Sequence, residues 1–141
     1  MASTPYVVNV SVGNTPDIIP ITIPVFAASA IANADELTDW VPGFNFEVVD
    51  IKFVAVTPIT TAAKTATINP YIDTVVVPGT ATAVAGAKAK GVVSQAWAYN
   101  PANRLFGSTT SKLKLTCSAV TAFVEGAGYW VVQIRNLGNL A

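Results

Sequence analysis

Apolar and polar residues alternate along most of the chain from residue 44 onward. The run "FNFEVVDIKFVAV" divides into two faces, with Val49, Ile51, Phe53 and Ala55 on one and Val48, Asp50, Lys52 and Val54 on the other. A period of two with charges on one face is typical of a half-buried β-strand. We therefore predict a strand here.

The same alternation returns in the last third of the chain. One run places Leu113, Leu115 and Cys117 on one face, and a later run places Trp130, Val132 and Ile134 on one face. We expect two strands that pair antiparallel with each other. The position of Cys117 predicts a small buried apolar residue rather than a nucleophile.

Turn residues separate these runs, as in "YNPANRLFGSTTS", and valine and threonine, which favour strands, are frequent. Helix-forming leucine, lysine and glutamate are scarce. The pattern predicts an all-β fold, an antiparallel β-sandwich or jelly roll of about seven to eight strands.

The first 43 residues have a different character. "PYVVNVSV" alternates as a strand would, and "TPDIIPITIPVF" combines Pro16, Pro20 and Pro24 with many large aliphatic residues. Because proline is confined to edge strands and bulges, we predict an extended arm or edge strand that lies on its own sheet or on a neighbouring subunit. The chain thus divides into an N-terminal arm and edge segment (1–43) and a β-sandwich domain (44–141), within one structural unit.

This arm supplies most of the predicted interface residues. The predicted contacts with a partner are Ile18, Ile19, Ile21, Ile23, Val25, Phe26 and Trp40. Trp40 is included because it stands beside a turn in a polar neighbourhood, where an aromatic side chain could anchor a partner. Trp97 and Trp130 could stack on a sugar or pack in the core, and the alternation favours the core for Trp130.

"ASAIANADELTDWVPG" is the stretch with helical character, and Asn33 or Asp35 could cap a helical turn there. Asp35, Glu36 and Asp39 form the densest acidic cluster. It is a possible site for a hard cation, but it lacks the spacing of an EF-hand loop. We expect a solvated helix face instead.

Charge and composition exclude several function classes. The chain carries eight basic and eight acidic residues, no histidine and one cysteine. A scattered, balanced charge argues against nucleic-acid binding. Without histidine, Ser-His-Asp and Cys-His catalysis are excluded, and one cysteine can form neither an intrachain disulfide nor a thiolate metal site. We predict no catalytic residues, no cofactor and no metal.

The acidic residues leave one enzymatic alternative open. Acidic side chains could approach one another as a glycosidase pair, and Glu125, between an apolar run and two glycines, is the acid with the least obvious role. We expect Glu125 to cap a turn.

The N-terminus lacks the pattern of a signal peptide, and no run is a membrane helix, so we expect synthesis in a cytoplasm. The low charge favours association with other chains.

The segment "KLKLTCSAVTAFVEGAGYWVVQIRNL" resembles the C-terminal end of small virion proteins of tailed bacteriophages. In that family a strand of the "tLkvt" kind precedes "vTAFtEGsG" and a final strand that ends in a basic residue. "AKAKGVVSQAWAYNPANRLF" and "VVDIKFVAVTPITTAAKTATINPYID" are similar to the family's middle portion and first sheet strands. The resemblance spans roughly residues 44–136, and the first 43 residues have no counterpart in it.

The resemblance implies a non-enzymatic β-sandwich that decorates the phage head. Such a cement protein would bind the major capsid protein of the assembled head and stabilise the junctions between capsomers. It would be a homo-oligomer, with a trimer favoured, located on the virion surface. The alternative is a carbohydrate- or receptor-binding module of a fibre or tail, for which an exposed Trp40 or Trp97 would be the signature.

Overall fold

The computed structural model describes residues 17–138, and within this range the chain is all-β, as predicted. One sheet, called sheet A, contains β1 (Asp17–Val25), β3 (Asn45–Thr57), β6 (Gly79–Ala81), β8 (Val93–Tyr99) and β10 (Ala127–Gly138). The other, sheet B, contains β2 (Asp35–Trp40), β4 (Thr65–Ile72), β5 (Val75–Val76), β7 (Val84–Ala85) and β9 (Leu113–Thr121). The described residues therefore form ten strands rather than seven or eight, and β5, β6 and β7 are only two or three residues long.

Every strand pairing is antiparallel, and the main pairings are nested along the chain. β1 pairs with β10, β2 with β9, β3 with β8 and β4 with β5. Each pair thus lies inside the previous one in sequence. The nested hairpin is also rolled over, so that β10 pairs with β3 and β9 pairs with β4.

The two sheets share one hydrophobic core. Its largest members are Phe46, Ile51, Phe53, Trp97, Trp130 and Ile134 from sheet A, Ile68, Leu113 and Leu115 from sheet B, and Ile59 from the loop after β3. The rings of Phe53 and Trp130 meet edge to face with centroids 4.9 Å apart. The predicted alternation of β9 and β10 is confirmed, because their core-facing residues are buried.

The predicted pairing of these last two strands with each other is wrong. β9 lies between β2 and β4 in sheet B, whereas β10 lies between β1 and β3 in sheet A. Residues 122–126 carry the chain from one sheet to the other. The apolar faces of both strands therefore contribute to one shared core from different sheets.

The faces predicted for the start of β3 are also wrong. Val48 is buried, whereas Val49 is half-buried, so the core positions do not follow a strict period of two. The cause is a β-bulge. Gln133 pairs with Asp50 and the next residue, Ile134, pairs with Val48, so that Val49 is skipped. One extra residue in a strand reverses the side to which its neighbours point.

The predicted helical segment contains only a three-residue 3₁₀ turn, Ala28–Ala30, and its acidic part is strand β2. The side chain of Asn33 does not cap a helix but accepts a hydrogen bond from the backbone N–H of Val120 at 3.0 Å. Pairing with β9 thus overrides the weak helical preference of this stretch.

Residues 17–25 form an edge strand of this chain's own sheet. β1 pairs with β10 along its whole length, and Pro20 and Pro24 lie within it. Proline at an edge removes donors that another strand could use.

The strand predicted in "PYVVNVSV" lies outside the described residues. Within residues 17–138, no helix has the length and apolar character needed to cross a membrane.

Candidate functional site

The two faces of β1 have different surroundings. Ile19, Ile21 and Ile23 pair with buried residues of β10 and pack against the core. Val25 is buried as well. These four predicted interface residues therefore hold β1 on its own sheet.

The remaining predicted interface residues are more accessible. Ile18 is 43% exposed and Phe26 is 90% exposed, and they lie at opposite ends of β1. Trp40 is half-buried and packs against the core. The structure therefore does not bring the predicted residues together into one exposed surface, and Phe26 is the most accessible of them.

Phe26 lies beside a continuous row of apolar side chains on the outer face of sheet A. The strand register aligns Pro24 of β1 with Tyr129 of β10, Tyr129 with Val54 of β3, and Val54 with Val93 of β8. Residues directly opposite in neighbouring strands point to the same face. The row thus crosses four strands, and Val93 at its end is 55% exposed.

Further exposed apolar residues lie at the same end of the sheet. They are Phe26 after β1, Val56 at the end of β3 and Val92 before β8. We call the row together with Phe26 and Val56 the sheet A patch: Pro24, Phe26, Val54, Val56, Val93 and Tyr129. The next row across the sheet contains Thr22, Val131, Lys52 and Gln95, and its three polar members limit the patch on one side.

Sequence reasoning missed the part of this patch that lies on β3, β8 and β10. The sequence did contain a signal for these residues. Val54, Val93 and Tyr129 are apolar or aromatic, although they occupy outward positions of strands in which the two faces alternate. Such positions are usually polar when a sheet faces water. The sequence does not show that these three side chains lie side by side. That follows only from the register of the paired strands.

A cleft opens beside the end of β1. Its volume is about 290 Å³, and it is lined by Pro24, Val25, Phe26, Ala27, Ala30, Ile31 and Glu36. Glu36 is the one charged residue in this lining. Its Oε1 accepts a hydrogen bond of 2.8 Å from the indole N–H of Trp130, which links the edge of sheet B to sheet A. Burial raises the pKa of the Glu36 carboxyl, and the hydrogen bond from Trp130 partly opposes this.

A charged cluster occupies the opposite end of sheet A. Glu47 is buried, and its carboxylate accepts hydrogen bonds from Arg104 and Arg135. The guanidinium of Arg104 lies 4.9 Å from the ring centroid of Phe106, and that of Arg135 lies 5.7 Å from that of Tyr99. The cluster fixes the 100–107 loop to β3 and β10.

Glu125 joins two loops. Its carboxylate accepts hydrogen bonds from the backbone N–H groups and the hydroxyls of Thr60 and Thr61. These hydrogen bonds lower the pKa of Glu125 to about 2. The expected capping role is thus confirmed, although Glu125 caps the loop that follows β3 rather than its own turn.

Three further acidic side chains have hydrogen-bond donors of their own. Asp35 accepts from the hydroxyl of Thr116, Asp50 from Gln95, and Asp73 from the backbone N–H of Lys112. Within residues 17–138, no three or more His, Cys, Asp or Glu residues are grouped to hold a metal ion. Cys117 is buried, as predicted, and burial raises its pKa to about 12.

Stacking on a sugar requires an exposed aromatic ring, and two of the three tryptophans are buried. Trp97 is 1% exposed and Trp130 is fully buried, and both belong to the core. The suggestion that Trp97 could be exposed is therefore wrong. It fails because Trp97 pairs with Ile51 on the core-facing side of sheet A.

Comparison of the chain with protein-family models, with curated proteins and with solved structures finds no match.

Proposed function

We propose that this protein decorates the head of a tailed bacteriophage, where it binds the assembled shell of the major capsid protein and acts by adhesion without catalysis. The observation that carries the proposal is the sheet A patch. Large contiguous apolar surfaces are rare on soluble monomers, and exposed apolar patches often mark contacts with another macromolecule.

The strand order supports a jelly-roll form of the β-sandwich. Two antiparallel sheets enclose one core, and a hairpin of four nested pairs is rolled so that β10 also lies beside β3 and β9 also lies beside β4. β6 and β7 are short additions to this plan. Jelly rolls build many viral capsid and lectin domains, so the fold agrees with a virion component but does not select one.

The edges of both sheets favour contact through a face rather than through an added strand. β1 contains two prolines, β5 and β6 are two and three residues long, and β2, the other edge of sheet B, carries three acidic residues and pairs irregularly with β9. Edges that are short, contain proline, or are charged and irregular resist pairing with another chain. The sheet A patch is therefore the better surface for adhesion.

A decoration protein does not need a tight individual contact. Many copies on a symmetric shell act together, so modest contacts give firm overall attachment. A protein that binds only the assembled, expanded state stabilises that state by mass action. We propose that it acts as a homo-oligomer, with a trimer at three-fold positions, because closed symmetry would match that of the shell.

Co-sedimentation tests the proposal. The purified protein is mixed with expanded shells that lack it, and in parallel with unexpanded shells of the same phage. We expect saturable binding to the expanded shells alone. Failure to bind expanded shells, or equal binding to both forms, would contradict the proposal.

A further inference from the structure

The cleft beside the sheet A patch has an unusual combination of walls and charge. Its lining is apolar apart from Glu36, and the nearly fully exposed ring of Phe26 stands at its rim. No ion pair within residues 17–138 involves Glu36. The Glu36 carboxyl group thus lies in a largely apolar setting without a cation paired to it.

This arrangement is costly unless a ligand completes it. A partly desolvated carboxylate is stabilised when a cation and further hydrogen bonds replace the lost water. Apolar walls suit an aliphatic chain, and an aromatic rim suits a cation that passes over its face. The matching ligand is a cation at the end of an aliphatic stem.

The geometry points to the side chain of a lysine, presented by a partner protein, with its stem against the apolar walls and its ammonium group on Glu36. Arginine fits less well. Its guanidinium binds a carboxylate best through two parallel hydrogen bonds to both oxygens, and Oε1 of Glu36 already accepts from Trp130. An ammonium group is a point charge and can be bound by the other oxygen.

This inference rests on the proposed function only for the identity of the protein that carries the lysine. Binding of an alkylammonium ion to the cleft does not depend on any shell. The two claims can therefore fail separately. Shell binding without amine binding would contradict the lysine site alone, and amine binding without shell binding would contradict the decoration role alone.

The indole N–H of Trp130 offers a direct reporter of the cleft, because it donates to Glu36. The probe is n-butylammonium, added to ¹⁵N-labelled full-length protein with assigned indole resonances. We expect a saturable shift of the Trp130 indole resonance. The neutral analogue n-butanol should bind at least about tenfold more weakly, since it lacks the charge.

Substitutions separate the charge from the shape of the cleft. Glu36→Gln keeps an oxygen that can accept from Trp130, so the fold should persist, but it should abolish the saturable response. The matched control is Asp35→Asn, which should leave the response unchanged. Asp35 lies on the same strand, but its side chain accepts a hydrogen bond from the hydroxyl of Thr116. An unchanged response in Glu36→Gln, an equal response to n-butanol, tighter binding of n-butylguanidinium, or no saturable shift would each overturn the inference.

Discussion

The buried carboxylate of Glu47 in β3 accepts hydrogen bonds from Nε and Nη2 of Arg104, which lies in the loop between β8 and β9. Arg135 of β10 shares the same carboxylate. Two guanidinium groups thus surround the carboxylate of a side chain that is only 2% exposed. The cluster ties a long loop to the centre of sheet A.

Replacement of Arg135 by glutamine should therefore destabilise the fold. The side chain is 22% exposed, and the loss of one hydrogen bond to a charged group costs about 1.5 kcal/mol or more, while Arg104 still pairs with Glu47. The matched control is Lys52→Gln, because Lys52 pairs with Asp50 at 3.1 Å but is 39% exposed. An exposed pair contributes only about 0 to 1 kcal/mol. Urea unfolding of both variants and of the wild type measures how much each substitution lowers the free energy of unfolding. Equal losses in the two variants would contradict this account of the cluster.

Glu125 should make stability depend on acid pH. Its pKa is lowered from 4.5 to about 2 in the folded protein by hydrogen bonds from Thr60 and Thr61. Its contribution is therefore fully present above the unfolded value and is lost as the pH falls through the folded value. Glu125→Gln should be less stable than the wild type near neutral pH, and the difference should shrink on acidification through this window. Urea midpoints across the window test this, and a difference that stays constant with pH would be the contrary result.

Cys117 should be inert towards thiol reagents in the folded protein. It is buried, and its pKa is raised to about 12, first by desolvation and then by the nearby charge of Glu36. Since the thiolate is the reactive form, modification should be slow in native buffer and fast in concentrated urea. Reaction with a chromogenic disulfide gives both rates, and rapid labelling of the native protein would show that the thiol is accessible.

Phe26 should contribute little to folding, in contrast to the aliphatic residues next to it. Phe26 is 90% exposed, so Phe26→Ser should change the free energy of unfolding by less than about 0.5 kcal/mol. Ile21→Ala, which removes a side chain that packs on the core, should cost about 2 kcal/mol or more. Thermal or urea unfolding distinguishes them, and a large loss in Phe26→Ser would give that ring a structural role.

Much of the fold could be predicted from alternation alone. In β9 and β10 every predicted core position is buried, because regular strands with one wet face carry a strict period of two. The same rule failed at Val48, where a bulge that depends on pairing with β10 shifts the phase. It also could not assign strands to sheets, because alternation is the same in either sheet.

The candidate surfaces were harder to predict for a related reason. Phe26 could be singled out from its apolar surroundings, but Val54 and Val93 become neighbours only when β3 and β8 pair. Likewise, the contact between Glu36 and Trp130 joins residues 94 positions apart. Such relationships depend on register and on the rolling of the hairpin, and local sequence carries neither.

The test of the surface should use point substitutions rather than truncation. Removal of residues 1–26 would delete β1, which pairs with β10 along its length and contributes buried Val25 to the core. A truncated protein could therefore lose binding because its sheet is damaged. Substitution of exposed side chains avoids this ambiguity.

The most direct measurement compares two double variants for binding to expanded shells. Phe26→Ser with Val93→Thr alters the sheet A patch, and Val75→Thr with Val76→Thr alters two exposed apolar side chains on β5 of sheet B. We expect the first to weaken binding by about tenfold or more, and the second to bind like the wild type. Wild-type binding by the patch variant, or equal losses in both, would contradict adhesion through this surface.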